Sequence, residues 1–198
     1  MADLEAFLHD PGGPPLLIAL ALAHYQFEAI HPFRDGNGRV GRALIQLVLI
    51  ERGVLTRPLL YLSGYLERNR REYYDHLLGV SQHGDFASWI AFFLEGIRQQ
   101  AYDAERRSTR LVGLRERIRS DLSDRGASGP AMRLADQLFG QPYVTAPGMR
   151  DQLGIAFNTA QRAIRELEDL GVLREVTGRQ RGRVYRSDEI LRVISEGS

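Results

Sequence analysis

A short polar segment rich in glycine lies between two apolar segments near the start of this chain, and it limits the folds that the chain can adopt. The segment reads His-Pro-Phe-Arg-Asp-Gly-Asn-Gly-Arg-Val-Gly-Arg over residues 31–42. Residues 16–23 before it and 43–50 after it are dominated by apolar side chains over helical lengths. This pattern predicts a loop between two buried helices. The second helix should begin near Arg39, end near Arg52 and lie at the centre of its domain, because almost none of its faces is polar.

The glycines and arginines of this loop suit it to bind phosphate. Gly36 and Gly38 have no Cβ atom that would keep a phosphate away. The first turn of the following helix offers unpaired N–H groups at the positive end of the helix dipole. Arg39 and Arg42 are close enough in sequence to share one face of that helix and to bind further phosphate oxygens. We therefore expect an anion site.

Two other residues of the loop suit chemistry on a bound phosphate. Asp35 can hold Mg²⁺, since this ion keeps several waters and needs only one or two carboxylates besides phosphate oxygens. His31 can take a proton from a hydroxyl nucleophile, because the ordinary pKa of histidine is about 6.5. Together these residues predict phosphoryl or nucleotidyl transfer.

A dinucleotide-binding fold is the main structural alternative, because Gly36, Gly38 and Gly41 match the pattern G-x-G-x-x-G. That motif has its meaning only between a strand and a helix of a βαβ unit. Here a helical pattern and Pro32 precede it, and no βαβ unit follows. Asp-Gly and Asn-Gly are also ordinary turn formers, but chance turns would not produce the whole ordered series.

The segment resembles the signature H-P-F-x-(D/E)-G-N-G-R-x-x-R of Fic-domain proteins at every specified position. The resemblance implies a mainly α, Fic-like helical domain that transfers AMP from ATP to a Ser, Thr or Tyr hydroxyl of a target protein. It makes His31 the general base, Asp35 the Mg²⁺ ligand and Phe33 a buried anchor of the loop. It also implies a set of residues that hold the nucleotide phosphates: Gly36, Asn37, Gly38, Arg39 and Arg42.

The resemblance covers about half of the chain, and two features of the family are not found in it. The inhibitory motif (S/T)-x-x-x-E-(G/N) is not matched at Glu95 or Glu196, because Ala91 and Arg192 occupy the position of the Ser or Thr. Few residues precede His31, so we expect the N-terminal inhibitory helix and the target-docking flap to be missing. We then expect a nucleotide site that is not repressed, with weak transfer to targets.

A composition change marks a second domain. Asp85 is a suitable N-cap for a long helix from Phe86 to about Asp121, and residues 123–130 contain two Gly, two Ser and one Pro. We predict a Fic-like catalytic domain over 1–122, a linker over 123–130 and a small α+β domain over 131–198.

The pattern of the second domain resembles a winged helix-turn-helix. Helices are predicted over 131–139, 147–153 and 158–170, the last with Asn158 as N-cap, and strands over 171–176 and 184–186. Several arginines could bind DNA phosphates: Arg162, Arg165, Arg179, Arg181 and Arg183. Acidic residues of the predicted recognition helix would repel them: Glu166, Glu168 and Asp169. This balance favours a protein partner over DNA.

Composition excludes several other kinds of chemistry. The chain has no Cys, which excludes disulfides, thiolate metal sites and cysteine nucleophiles. All 26 basic residues are Arg, which excludes a catalytic lysine. The net charge of +1 gives no overall attraction to nucleic acid or membrane. With neither a leader pattern nor an apolar run of membrane-spanning length, we expect a cytoplasmic protein.

Two hypotheses follow from the sequence. The first is a protein adenylyltransferase (AMPylator) with an accessory winged helix. The second is a DNA-binding regulator whose Fic-like half binds nucleotide without efficient transfer. Gly38 favours AMP as the transferred group, because a Lys replaces this glycine in kinase-like relatives. UMP transfer, phosphate transfer, removal of AMP and a homodimer stay open.

Overall fold

The computed structural model describes residues 1–10, 12–57 and 60–195. These residues form a mainly helical structure with one small antiparallel sheet, which confirms the predicted fold class. The chain divides into two compact units, Met1–Ala104 and a second unit that begins at Glu105. No helix in the described ranges combines the length and the apolar character that a membrane crossing requires.

The first unit is an assembly of helices. Its elements are α1 (Ala2–His9), α2 (Leu16–Ile30), α3 (Asn37–Glu51), α4 (Leu62–Arg68), α5 (Arg70–His83) and the first part of α6 (Phe86–Asp124). Trp89 lies at the centre of its core with no exposed surface, and its indole N–H donates to the carbonyl oxygen of Ala21 at 2.8 Å. The predicted loop between two helices is confirmed, since residues 31–36 connect α2 and α3.

The prediction that α3 lies at the centre of the domain is wrong. Ile45, Val48 and Leu49 are buried, but the side chains of Leu47 and Val40 are 63% and 42% exposed. Helical periodicity places these two residues on a different face from Ile45. An apolar helix is buried only where a neighbouring element covers it, and its own composition does not provide that element.

The unit boundary also differs from the predicted linker over 123–130. The second part of α6 supplies Leu114, Ile118 and Leu122 to the core of the second unit, so the division falls within the helix after Ala104. The segment from 125 to 128 is a short turn inside that unit. Ser128 caps the next helix there, accepting a hydrogen bond from the backbone N–H of Ala131 at 3.4 Å. Gly, Ser and Pro favour a tight turn as strongly as they favour a linker.

The second unit combines helices with a three-stranded sheet. Its further elements are α7 (Gly129–Leu138), β1 (Tyr143–Val144), α8 (Ala146–Leu153), α9 (Phe157–Asp169), β2 (Arg174–Glu175), β3 (Tyr185–Arg186) and α10 (Asp188–Ser195). The strand order is β1-β3-β2, and both pairs are antiparallel. The sequence prediction missed β1 and α10. It also placed the N-cap of α9 two residues too late, at Asn158, whereas Ala156 holds that position without a side-chain hydrogen bond.

Candidate active site

A cavity of about 510 Å³ opens in the first unit where the loop between α2 and α3 faces α4 and α5. All predicted site residues line it: His31, Asp35, Gly36, Asn37, Gly38, Arg39 and Arg42. This volume lies in the range of small-molecule binding sites. The fold therefore brings the predicted residues together around one space.

His31 lies at the start of the loop in an unusual backbone conformation. It is the C-cap of α2 with φ 49° and ψ 57°, and its N–H donates to the carbonyl oxygen of Phe27 at 3.1 Å. Among the described residues, no other non-glycine residue has a positive φ. Such a conformation is costly for a residue with a Cβ atom and is often found at functional sites. Here it ends the helix and turns the imidazole toward the cavity.

Asn37 holds the loop in shape. Its side chain is buried, with the residue only 2% exposed. The amide Oδ1 accepts from the N–H of Phe33 at 2.9 Å, and Nδ2 donates to the carbonyl oxygen of Phe33 at 2.6 Å. Phe33 itself is 49% exposed, so the prediction of a buried anchor is wrong. The buried amide of Asn37 anchors this loop instead of the aromatic ring.

The first turn of α3 forms a cradle next to two guanidinium groups. Gly36 is the N-cap with φ 83°, and the helical hydrogen bonds begin with the N–H of Val40 donating to Gly36 at 3.0 Å. A Cβ atom at Gly36 would lie 3.2 Å from Nη2 of Arg39, and one at Gly38 would lie 2.9 Å from Nη1 of Arg42. Both guanidinium groups therefore extend back over the glycines toward the helix N-terminus. The first N–H groups of α3 have no partner within the helix. These N–H groups and the guanidinium groups of Arg39 and Arg42 therefore lie around the same point, the N-terminus of α3.

Asp35 presents a single exposed carboxylate beside this cradle. Its Oδ1 accepts from the N–H of Gly36 at 2.7 Å, and its Oδ2 lies 3.4 Å from Nη2 of Arg39. Within the described part of the chain, no three His, Asp or Glu side chains cluster as metal ligands. The donor set thus fits an ion that takes one protein carboxylate and completes its shell with water and phosphate oxygens, as Mg²⁺ does.

Arg42 has a partner that the sequence did not reveal. Its Nε donates to the hydroxyl oxygen of Ser63 at 3.0 Å. Ser63 lies in the first turn of α4, whose N-cap is Tyr61. The hydrogen bond joins α3 to α4 across 21 residues and limits where the guanidinium can lie.

Glu28 is a further acidic residue of the cavity wall. Burial raises the pKa of its carboxyl group, while the positive charges of Arg42 and His31 oppose that shift. Its Oε1 is buried and has no hydrogen-bond partner among the described residues. Glu28 lies nearly one helical turn before His31, so periodicity alone could have pointed to it.

A buried polar pair supports the wall behind Glu28. The imidazole Nε2 of His24 and the hydroxyl of Tyr73 form a hydrogen bond of 3.1 Å. Burial lowers the pKa of His24 to about 4 and raises the pKa of Tyr73. His24 is thus a packing residue, and it is held neutral near pH 7.

Aromatic residues of α5 form the far wall of the cavity. Tyr73 and Tyr74 both line it, together with Arg70, whose guanidinium carbon lies 5.8 Å from the centre of the Tyr74 ring. Asn69, which directly precedes α5, does not line the cavity. Its Nδ2 donates to the carbonyl oxygen of Tyr65 at 2.9 Å.

Comparisons with known proteins identify a family with similar sequences. Residues 1–49 match the model of the Fic/DOC family. The chain is 32% identical over 104 residues to "Protein adenylyltransferase Fic" of Nematostella vectensis, covering 52% of this chain and 22% of that protein. It is 35% identical over 75 residues to the Drosophila melanogaster protein of the same name, covering 38% and 14%. The chain thus spans less than a quarter of the length of these relatives.

A solved structure of a Fic family protein from Desulfovibrio desulfuricans G20 aligns with 94% of this chain and 53% of its own length, at a TM-score of 0.48 and 23% identity. The family assignment rests on the sequence matches and on the loop. Residues 1–49 match the Fic/DOC family model and include the complete signature at residues 31–42, so this part of the chain is identified with the Fic family.

Proposed function

We propose that this chain is a protein adenylyltransferase, which moves AMP from ATP to a hydroxyl side chain of a target protein. The observation that carries the proposal is the cavity itself. One space collects an imidazole, a carboxylate, a glycine-bounded helix N-terminus and two guanidinium groups. The relatives named as adenylyltransferases support the same class of reaction.

The phosphates of ATP would bind at the first turn of α3. The backbone N–H groups there point toward an anion, and Gly36 and Gly38 let the phosphate come close to the backbone. Arg39 and Arg42 would bind the outer phosphate oxygens with charge-assisted hydrogen bonds. The side chain of Asn37 is already bonded to Phe33, so we assign its contribution to the backbone N–H and to the shape of the loop.

Asp35 would hold Mg²⁺ against these phosphates, where the ion would offset negative charge. The remaining chemistry belongs to His31. Its imidazole would take the proton of the target hydroxyl as the hydroxyl oxygen bonds to the α-phosphorus. The bond from the α-phosphorus to the bridging oxygen then breaks, and pyrophosphate leaves with that electron pair. Positioned proton transfer of this kind contributes about two to four decades in rate.

A transfer assay with ATP labelled at the α-phosphate tests this proposal on the full chain. The readouts are label on an acceptor protein and, in parallel, ATP affinity in the presence of Mg²⁺. We expect His31→Ala to bind ATP almost as the parent does and to lose transfer by about two to four decades. Loss of ATP binding in this variant would instead make His31 a ligand.

The same assay separates the proposal from a regulator that only binds nucleotide. A binder does not need the base, so His31→Ala and the parent would then bind ATP alike and both lack transfer. That outcome, with acceptor proteins that related enzymes modify, would reject the enzyme assignment.

A further inference from the structure

Helix α9 of the second unit has one buried face and one exposed polar face. Ala160, Ala163, Ile164 and Leu167 are buried in the core of the unit. The exposed face of the first two and a half turns carries amide and guanidinium groups: Asn158, Gln161, Arg162 and Arg165. These residues offer hydrogen-bond donors in helical register and include no carboxylate.

The acidic residues of α9 lie in its second half, and two of them do not act as free surface charges. Glu166 accepts hydrogen bonds from the N–H and the hydroxyl of Ser128, at 2.8 and 3.0 Å, and thereby holds the start of α7. It also lies 3.7 Å from Nε of Arg162. Glu168 is partly buried, and burial raises the pKa of its carboxyl group, while the positive charge of Arg183 opposes that shift. The repulsion that the sequence predicts from these residues is therefore weaker on the exposed face.

The loop between β2 and β3 carries a second basic group. It contains Arg179, Arg181 and Arg183 and no acidic residue between Thr177 and Arg183. Nε of Arg183 donates to the carbonyl oxygen of Arg179 at 2.9 Å, which closes the loop. Glu175, next to this loop, turns its carboxylate onto the N–H groups of Thr177 and Gly178, at 2.8 and 3.0 Å.

Most arginines elsewhere in the unit take part in the fold. Arg115 and Arg119 both bind Asp136, at 2.8 and 2.6 Å, and Arg174 binds Asp188 at 2.7 Å. In contrast, across the described residues, Arg165, Arg179 and Arg181 form no ion pair with a carboxylate. These cations are available to an external anion.

We propose that the second unit binds double-stranded DNA, with the exposed face of α9 in the major groove and the β2–β3 loop on the neighbouring phosphates. An α-helix fits the width of the major groove, and the residues near its N-terminus can then contact base edges. Asn and Gln pair well with adenine, and Arg with guanine. Arg179 and Arg181 would neutralise phosphates, which gives affinity without sequence preference.

Charge and chemistry favour DNA over a protein partner. The exposed large apolar residues of the contact surface are Phe157, 41% exposed at the start of α9, and Val176, 37% exposed at the start of the β2–β3 loop. Protein interfaces are usually built around buried aromatic and aliphatic groups. Hydrogen-bond donors on a helix face, together with a loop whose Arg179 and Arg181 form no ion pair among the described residues, match a polyanion with base edges in its groove.

Fluorescence anisotropy tests the proposal, with the full chain and a fluorescein-labelled 24-base-pair duplex of random sequence. We expect binding that weakens with salt, with a slope of log affinity against log salt of about −3 to −4, corresponding to three to five phosphates. The variant Arg165→Glu with Arg181→Glu should flatten this slope by about two. A matched control, Arg106→Glu with Arg192→Glu, changes the net charge equally at exposed sites in α6 and α10, outside α9 and the loop.

Two outcomes would overturn the proposal. Equal losses in the two double variants would show attraction by net charge alone. If the parent shows no salt-dependent binding even at low salt, the surface does not bind DNA, and a protein would be the partner of these arginines.

Selection from a random duplex pool adds a second readout. Asn158→Ala with Gln161→Ala should abolish the sequence preference and leave random-duplex affinity unchanged. A parent chain that selects no sequence would contradict the assigned groove contact. None of these measurements depends on nucleotidyl transfer, so the proposed enzyme activity is tested separately.

Discussion

Gly41 allows α2 and α3 to approach each other directly beneath the active-site loop, and its replacement by alanine should weaken the first unit. A Cβ atom at this position would lie 2.8 Å from Oε1 of Glu28, 3.1 Å from Cδ1 of Phe27 and 3.2 Å from Cε1 of His24. Phe27 and His24 are 2% and 1% exposed, so their rings have little room to move.

The size of the effect follows from two opposing contributions. Alanine favours a helix over glycine by about 1 kcal/mol. Inserting a methyl group into a packed core costs about 1–3 kcal/mol. The free energy of unfolding of Gly41→Ala should therefore fall by up to about 2 kcal/mol.

A second glycine in a helix of the same unit provides the matched control. A Cβ atom at Gly79 of α5 would meet nothing within 4 Å among the described residues. Gly79→Ala therefore keeps the helical gain without the clash, and the two variants should differ by about 1–3 kcal/mol.

Urea unfolding followed by tryptophan fluorescence measures this difference. Trp89 is the only tryptophan of the chain and is fully buried in the core of the first unit, so the signal reports that unit. With a urea dependence of about 2 kcal/mol per M, the midpoints should differ by about 0.5–1.5 M. Equal midpoints for the two variants would refute the close contact between α2 and α3.

Three further predictions concern the cavity. Ser63→Ala removes the acceptor for Nε of Arg42 and should weaken ATP binding about 2- to 12-fold without changing the stability of the fold. Isothermal titration calorimetry measures the ATP affinity. An unchanged affinity would exclude a positioning role for Ser63. Asp35→Ala should lose the Mg²⁺ dependence of ATP binding, and dependence retained against an EDTA control would reject its metal role. The pKa of His24 is lowered to about 4 in the folded chain, from about 6.5 when unfolded, so its contribution to stability is present above pH 6.5 and is lost as the pH falls toward 4. This loss amounts to about 3 kcal/mol, and His24→Gln should reduce the pH dependence of the urea midpoint; an identical dependence in both chains would refute the assignment.

The sequence by itself determined the candidate active-site loop, because the groups proposed to carry the chemistry lie within twelve consecutive residues. A loop of this kind needs only two flanking helices to place His31, Asp35 and the glycines around one space. Local signals also predicted α2, α3, the helices α6 to α9 and the hairpin between β2 and β3, since caps, turns and periodicity act over a few residues.

Only the tertiary structure decided which distant residues complete the cavity. Ser63 and Tyr73 reach it from α4 and α5, and no local pattern links them to Arg42 or His31. Tertiary packing also placed the buried amide of Asn37 where the sequence suggested the ring of Phe33, and left one face of α3 exposed. These outcomes depend on which surfaces meet, and that is a property of the whole unit.

The charges of the second unit also differ between what the sequence predicts and what the fold decides. Counting charges along the sequence put basic and acidic residues on one helix and favoured a protein partner. The fold separates them, because Glu166 turns to Ser128 while Arg165 faces outward. Composition determines how many charges a chain carries, whereas the field that a partner meets depends on which charges are paired within the fold.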